Sequence, residues 1–279
     1  KIPDSVTTIG KRAFSDCSSL TSVTIPDSVT TIVECAFFDC SSLTSVTIPN
    51  SVTKIGDSAF NGCSSLTSVT IPNSVTTICL DAFECCSSLT SVTIPDSVTT
   101  IGFRAFENCR CLTSIDIASG NLNYSSDDGV LFDKNKSILI QYPVGNQRTE
   151  YAIPNSITTI GKDAFYRCSS LTSVKIPNSV TTIGKDAFYR CSSLKDVYYS
   201  GSEEQWKKIS IGSYNDDLLN AKIHYNSLLP DQPETGGSTG DSSGGSTGGG
   251  SSSGGAIGGG GGFVPAPAPE DTDKKDDDK

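Results

Sequence analysis

The chain of 279 residues is 35% apolar and can therefore bury a sizeable core. Of its formal net charge of -10, the nine acidic residues and three lysines from Pro230 onward contribute -6, so the remainder is weakly acidic and has no basic stripe. This balance argues against nucleic acid as a partner, and because no apolar run reaches the ~20 residues that span a bilayer, no direct membrane insertion is expected.

A 23-residue repeat occupies residues 1–116 and returns in residues 153–198. Each unit reads approximately I-P-[DN]-S-V-T-T-I-G-x-x-A-F-x-x-C-S-S-L-T-S-V-T. The L-T-S-V-T-I part alternates apolar and polar residues, which predicts a short strand with one buried face, and the following proline ends it because proline cannot donate a ladder hydrogen bond. One coil cannot enclose a core alone. The repeat therefore predicts a mainly β solenoid of stacked coils with a parallel sheet.

Residues 117–152 interrupt the period by 13 residues. The stretch from Gly129 to Tyr142 has apolar runs on both sides of the polar turn Asp133-Lys134-Asn135-Lys136. We predict an irregular coil here, with an inserted β-hairpin that extends from it.

The repeats give way to two further segments at the C-terminal side. In residues 199–227, Trp206 and Ile209 have helical spacing and an apolar, aromatic run ends at Tyr225, which predicts a cap over the end of the solenoid. Residues 228–279 are rich in Gly, Ser, Pro and Asp and are expected to form a disordered linker.

The repeated unit resembles the BspA-like, Treponema-type leucine-rich repeat of bacterial and protist surface proteins. The residues that carry the resemblance, in the second unit, are Ile32, Ala36, Phe37, Cys40, Leu43, Val46, Ile48 and Pro49. The insert and the cap also match habits of that family, so the resemblance covers about 225 residues. It implies an extracellular or cell-surface location. Because Lys1-Ile2-Pro3 already belongs to a unit, we expect a fragment without its signal and anchor.

Eleven cysteines suggest disulfide or metal chemistry at first sight. Seven of them share one column of the repeat and are expected to be buried, unreactive thiols, namely Cys17, Cys40, Cys63, Cys86, Cys109, Cys168 and Cys191. The other four, Cys35, Cys79, Cys85 and Cys111, leave a disulfide open. None has a zinc-type spacing, and His224 is the only histidine. We therefore expect no metal, no cofactor and no catalytic residue.

Binding residues are expected where the units differ from one another. The bends around the Ala-Phe pair carry aromatic residues and arginines, which are enriched in interfaces: Phe38, Phe103, Arg104, Tyr166, Arg167, Tyr189 and Arg190. Outward strand positions are Ser or Thr in the early units and change later to Asp116, Lys175, Asp196 and Tyr198. Alternatively, each aromatic ring covers the neighbouring coil, and the strand positions are solvated β surface.

Two hypotheses follow for function. The first is a non-catalytic, monomeric interaction module, for which the family resemblance implies adhesion to a protein or glycan of a host, of the matrix or of neighbouring cells. The second is a structural spacer or accessory region of a larger extracellular protein, for example a carbohydrate-active one.

Overall fold

Two strands alternate in each coil of the computed structural model, which describes residues 1–227. Residues 228–279, with the predicted linker, lie outside the described residues. The strands before the insert are β1 (Thr8–Ile9), β2 (Ser22–Thr24), β3 (Thr31–Ile32), β4 (Ser45–Thr47), β5 (Lys54–Ile55), β6 (Ser68–Thr70), β7 (Thr77–Ile78), β8 (Ser91–Ile94), β9 (Thr100–Ile101) and β10 (Ser114–Ile117).

These strands pair in parallel with the equivalent strand of the next coil. The two-residue strands form one sheet in the order β1-β3-β5-β7-β9, and the longer strands form the sheets β2-β4-β6 and β8-β10. Paired residues are 23 positions apart, as Val23 and Val46 are, so each column of the repeat stacks on itself. The predicted parallel, mainly β solenoid is confirmed.

The core is built from these stacked columns. The phenylalanine of each Ala-Phe pair lies on the phenylalanine of the next coil, with ring centroids 5.1 to 5.6 Å apart from Phe14 to Phe106. After the insert the stack resumes as Tyr142, Phe165 and Phe188, at 5.2 and 4.8 Å. Offset stacks of aromatic rings stabilise a core beyond the area that they bury.

The hydroxyl and thiol columns of the repeat satisfy backbone carbonyl groups. The Thr44 hydroxyl donates to Thr21 O at 3.1 Å, and Ser28 Oγ donates to Val6 O at 2.6 Å. Within the core, the Cys63 thiol donates to Phe37 O at 3.2 Å. The threonine bond is at the exposed surface, the serine bond is partly buried and the thiol bond is buried. Hydrogen bonds between neighbouring coils therefore account for these columns of the sequence.

The insert contains the predicted hairpin, but it has a third strand and is built into the core. These are β11 (Tyr124–Asp127), β12 (Val130–Asp133) and β13 (Ile138–Gln141), and β12 pairs antiparallel with both neighbours. Leu131 packs in the core of the preceding coils, whereas Val130 and Phe132 pack in the core of the following coils. The hairpin therefore does not extend away from a coil. Its middle strand joins two halves of the solenoid.

The later coils repeat the first pattern and end in a cap. The elements are β14 (Glu150–Ala152), β15 (Thr159–Ile160), β16 (Ser173–Ile176), β17 (Thr182–Ile183), β18 (Asp196–Tyr199), α1 (Glu203–Trp206), β19 (Ser210–Ile211), α2 (Asp216–Asn220) and β20 (Lys222–His224). Strand β13 begins the ladder β13-β15-β17-β19, and a second sheet runs β14-β16-β18-β20. Ser202 and Gln205 form a capping box at α1. Neither helix in residues 1–227 is long and apolar enough to cross a membrane.

Two columns of each coil have a left-handed backbone although most of their residues are not glycine. One column precedes the alanine and includes Arg104 (φ 57°), and the other precedes the cysteine and includes Arg167 (φ 60°). Asn, Asp and Gly adopt this conformation most readily. In the second column Asp39 and Gly62 of the early coils fit that preference, and the arginines of the late coils do not.

Candidate functional site

A shortened bend lies beside the insert and brings predicted residues together. In the coil of β9, four residues separate Ile101 from Phe106. In the coil of β13, whose Leu139 pairs with Ile160 of β15, only two residues separate Leu139 from Tyr142, which takes the place of the phenylalanine. The bend is thus two residues shorter. Side chains from the coil of β9 and from the coil of β15 therefore meet over this shortened bend.

The contacts above the shortened bend join Phe103 and Arg104 to the next regular coil. Lys162 Nζ lies 4.3 Å from the centre of the Phe103 ring, a cation–π contact. Arg104 Nε lies 2.6 Å from Glu107 Oε2 and 3.8 Å from Asp163 Oδ2. These residues also line a cavity of about 100 Å³. Arg104 therefore links the coils before and after the insert.

Glu107 is the most strongly perturbed carboxyl group of this cluster. Its side chain is 5% exposed, and burial raises its pKa to about 8, although the Arg104 guanidinium acts in the opposite direction. Burial also raises the pKa of Asp163 and of Asp81 to about 6. Carboxylates lose solvation when buried, and neighbouring carboxylates disfavour one another's charge. The cluster can hold protons at neutral pH.

Tyr166 and Tyr189 continue the same surface over the last two regular coils. Their rings stack with centroids 5.3 Å apart, and both side chains are partly buried. Arg167 lies 5.4 Å from the centre of the Tyr166 ring, and Arg190 lies 5.3 Å from that of Tyr189. We define the aromatic-arginine strip as Phe103, Arg104, Tyr166, Arg167, Tyr189 and Arg190. Phe38 lies apart from it, partly buried in the second coil.

The strand-face residues form a second group, from which Asp116 is separated. Lys175, Tyr198 and His224 form one row across β16, β18 and β20. The His224 ring stacks on Tyr198 at 4.7 Å, and His224 Nε2 lies 2.7 Å from Asp196 Oδ1. Asp116 belongs to the two-stranded sheet of β8 and β10, which does not include β16 or β18.

Residues 1–227 contain no assembled site for a metal ion or for thiol chemistry. No group of three His, Cys, Asp or Glu side chains there could hold a metal ion, and all eleven cysteines are unpaired. Burial raises the pKa of Cys109 and of Cys168 well above the usual value, and that of Cys191 to about 12. A thiol acts as a nucleophile or ligand only as the thiolate, so these column cysteines serve packing.

Several residues of these surfaces were not predicted from the sequence. Lys162 and Asp163 contact the strip only because of the shortened bend, whereas Glu107 pairs with Arg104 within the same bend, three residues along the chain. His224 pairs with Asp196 because β20 adds a strand to the sheet. A signal for His224 was present, since the cap residues Lys222-Ile223-His224 repeat the polar, apolar, polar order of the strands.

Comparison with known proteins agrees with the repeat. A family model described as "BspA type Leucine rich repeat region" matches six copies, over residues 1–113 and 145–226. The stretch between the two matches contains β11, β12 and β13. No protein with a curated description matches the chain.

Several solved structures are similar to this chain. A leucine rich cell surface protein from Faecalibacterium prausnitzii A2-165 is 30% identical, with a TM-score of 0.57, over 75% of this chain and 80% of that one. A leucine-rich repeat protein from Eubacterium ventriosum is 28% identical, with a TM-score of 0.53, over 66% of this chain and 60% of that one. The pneumococcal vaccine antigen PcpA shares the fold at 23% identity, with a TM-score of 0.58, over 80% and 74%.

Proposed function

The chain belongs to the BspA type leucine rich repeat family, and we propose that it is an adhesion module displayed outside the cell, which binds its partner through the aromatic-arginine strip. The family implies a protein-interaction module, and its repeat fold is typically non-catalytic. The cell-surface description of the Faecalibacterium relative supports the location. A host, matrix or neighbouring-cell protein or glycan is the proposed partner, and a monomer the proposed binding unit.

The single observation that carries the proposal is the stacked pair Tyr166 and Tyr189 with an arginine over each ring. Tyrosine and arginine are, with tryptophan, the residues most enriched among those that dominate binding energy. Their orientation is already fixed by contacts within the strip, so less side-chain freedom is lost on binding. The strand faces of the first four coils offer only serine and threonine hydroxyl groups.

A binding array of extracellular-matrix proteins, glycans, epithelial cells and bacterial cells tests this function. We expect the full chain to bind at least one of them, and Tyr166→Ser with Tyr189→Ser to weaken that binding at least tenfold, which corresponds to about 1.4 kcal/mol. Thr47→Ala with Thr70→Ala, on the strand face of early coils, is the matched control and should change binding less than twofold. The proposal is wrong if the chain binds nothing in the array.

The strand face at the cap is the competing surface within the same experiment. Lys175→Ala and Tyr198→Ala remove two partly buried members of its row. If these variants lose binding and the tyrosine variants keep it, the strip is not the interface. The spacer role stays the alternative proposal, and the uniform hydroxyl surface of the first coils favours it for that part of the chain.

A further inference from the structure

The two halves of the solenoid meet at a seam, which we define as the contact between the coil of β9 and the shortened coil of β13. Strands β9 and β10 are the last of their sheets, and neither pairs with β13 or β14. The core is divided at the same place, since Leu131 packs on one side and Phe132 on the other. The parallel strand pairing that joins all other neighbouring coils therefore does not cross the seam.

The bend side of the seam also lacks the usual backbone hydrogen bonds between coils. In the coil before it, three N–H groups of the bend donate to carbonyl groups of the next bend, in the pairs Asp81–Phe103, Phe83–Ala105 and Cys85–Glu107. Among residues 1–227, no such bond to the next coil leaves the equivalent N–H groups of Arg104, Phe106 and Asn108. The shortened bend that follows has two residues fewer with which to accept them.

Backbone hydrogen bonds do cross the seam near β10. Ile115 N donates to Gly129 O, and Gly145 N donates to Leu112 O, both at 2.9 Å. The seam is thus held by the backbone on the β10 side and by side chains on the bend side.

The side-chain contacts of the bend side surround a cavity. Arg104 Nε lies 3.8 Å from Asp163 Oδ2, Lys162 Nζ lies 4.3 Å from the centre of the Phe103 ring, and Gln141 Nε2 donates to Phe106 O at 3.1 Å. The cavity of about 100 Å³ between them has the volume of roughly three water molecules. Regions held by few backbone bonds open more readily than the rest of a fold.

Two carboxyl groups in the wall of this cavity are buried without hydrogen bonds. Glu107 and Asp163 have side chains that are 5% and 8% exposed. Neither oxygen of Glu107 makes a hydrogen bond within the described residues, although Oε2 lies 2.6 Å from Arg104 Nε, and the same holds for Asp163 Oδ2. Buried polar atoms without such partners are costly. Water that entered the cavity would supply them.

The charged and titratable groups around these two carboxyl groups come from four coils. They are Glu84, Cys85, Arg104, Lys162, Tyr166, Lys185 and Asp186. Lys162 and Lys185 act on Asp163, whereas the charged groups that act most on Glu107 are Arg104 and the carboxylates of Asp163 and Glu84. A proton lost from Glu107 therefore adds a negative charge to a setting that already holds two others.

Proton binding couples these groups to the state of the seam. Burial raises the pKa of Glu107 to about 8 and that of Asp163 to about 6, although Arg104 acts in the opposite direction on both. In an open, hydrated seam the two groups regain their ordinary values of 4.5 and 3.8. Between the two sets of values the closed seam binds more protons than the open one, so a rise in pH favours opening.

We propose that the seam is a pH-sensitive hinge, which is closed at acidic pH and opens on its bend side as Glu107 and Asp163 lose their protons. The backbone bonds near β10 hold the pivot. Opening moves Phe103 and Arg104 away from Tyr166 and Tyr189 and so divides the aromatic-arginine strip. The hinge is a property of the fold and goes beyond the proposed function.

Hydrogen exchange of the full chain, measured by mass spectrometry from pH 5 to pH 9, tests the hinge. Protection factors are compared, because they remove the pH dependence of exchange in an unfolded chain. We expect protection of residues 101–108 and 138–146 to fall at least tenfold over this range, and that of residues 52–63, in the early coils, to change less than twofold. In Glu107→Gln the fall at the seam should be less than threefold. Glu34→Gln, which removes an exposed carboxylate, is the matched control and should keep the full fall.

Three results would overturn the hinge: constant protection at the seam, an equal fall in the early coils, or a full fall at the seam in Glu107→Gln. If Glu107→Gln does not fold, Asp163→Asn decides, and a full fall in that variant counts against the hinge. Array binding is read separately. Binding that depends on Tyr166 and Tyr189, together with constant protection at the seam, would remove the hinge and leave the adhesion function standing.

Discussion

Asn215 Oδ1 accepts the backbone N–H of Phe188 at 2.9 Å, in the position where Ala187 O accepts the N–H of Phe165 one coil earlier. Its Nδ2 donates to Gly184 O at 2.9 Å and to Gly212 O at 2.8 Å. The Asn215 side chain thus makes hydrogen bonds that the backbone of a further coil would otherwise make. It ends the ladder without leaving a buried N–H unpaired.

Replacement of Asn215 by alanine should lower the free energy of unfolding by about 2 kcal/mol, because the Phe188 N–H and two carbonyl groups lose their partner in a buried setting. Denaturation in urea measures this. Asn220→Ala, at the exposed end of α2, is the matched control. If Asn215→Ala lowers the free energy of unfolding no more than Asn220→Ala does, the stability of the cap does not depend on the Asn215 side chain.

Glu107→Gln should change the pH dependence of stability. Folded Glu107 keeps its proton up to about pH 8, whereas the unfolded chain releases it near the ordinary value of 4.5. Between these values the folded state binds more protons, so this group lowers stability as pH rises. The unfolding free energy of the variant relative to the wild type should rise by at least about 1 kcal/mol between pH 4 and pH 9.

The control for this pH profile is Glu34→Gln, which removes an exposed carboxylate paired with Lys11 at 2.9 Å. Urea denaturation at a series of pH values gives both profiles. The prediction is wrong if the unfolding free energies of the two variants change with pH in parallel. It is also wrong if the Glu107 variant becomes less stable relative to the wild type at high pH.

Leu131→Ala should weaken the junction between the two halves of the solenoid. The side chain is fully buried at the end of the first core, and such truncations cost about 2 to 5 kcal/mol. Because stability in repeat proteins is passed between neighbouring coils, we expect amide exchange to accelerate on both sides of the insert. Hydrogen exchange with mass spectrometry measures it, and Ile138→Ala, a partly exposed residue of β13, is the control. Exchange changes confined to one half would contradict the coupling.

Thiol labelling of the native protein should modify Cys111 first. Cys111 is exposed, whereas Cys63 is buried and its thiol donates to Phe37 O. Iodoacetamide followed by peptide mapping is the measurement, with labelling in urea as the reference for full access. Rapid native labelling of Cys63 or Cys86 would mean that the thiol column is not part of a closed core.

The fold could be predicted from the sequence because a period of 23 residues specifies pairing, register and core at once. Two features could not. The left-handed columns are occupied by residues such as Arg104 and Arg167, so no glycine pattern marks them. The sequence of the insert predicts a hairpin that extends from a coil, because it does not reveal that both faces of β12 are buried.

The candidate site was predictable only where its residues follow the repeat. The column positions of Tyr166 and Tyr189 are read directly from the repeat, and their stacking follows from it. The contacts of Phe103 and Arg104 with Lys162 and Asp163 depend on the bend that lost two residues. That loss is visible only once Tyr142 is known to occupy the phenylalanine stack.

The near identity of the last two regular units has an evolutionary consequence. Residues 153–175 and 176–198 differ at four positions, and both carry the Tyr-Arg pair. Backbone hydrogen bonds run from one coil to the next, as from Phe165 N to Ala187 O, so a unit copied in tandem fits between its neighbours without other changes. Each such duplication would copy a tyrosine and an arginine as well as a coil. Unequal crossing-over in the gene could thus raise the number of contact points in single steps and tune avidity without a new binding site having to evolve.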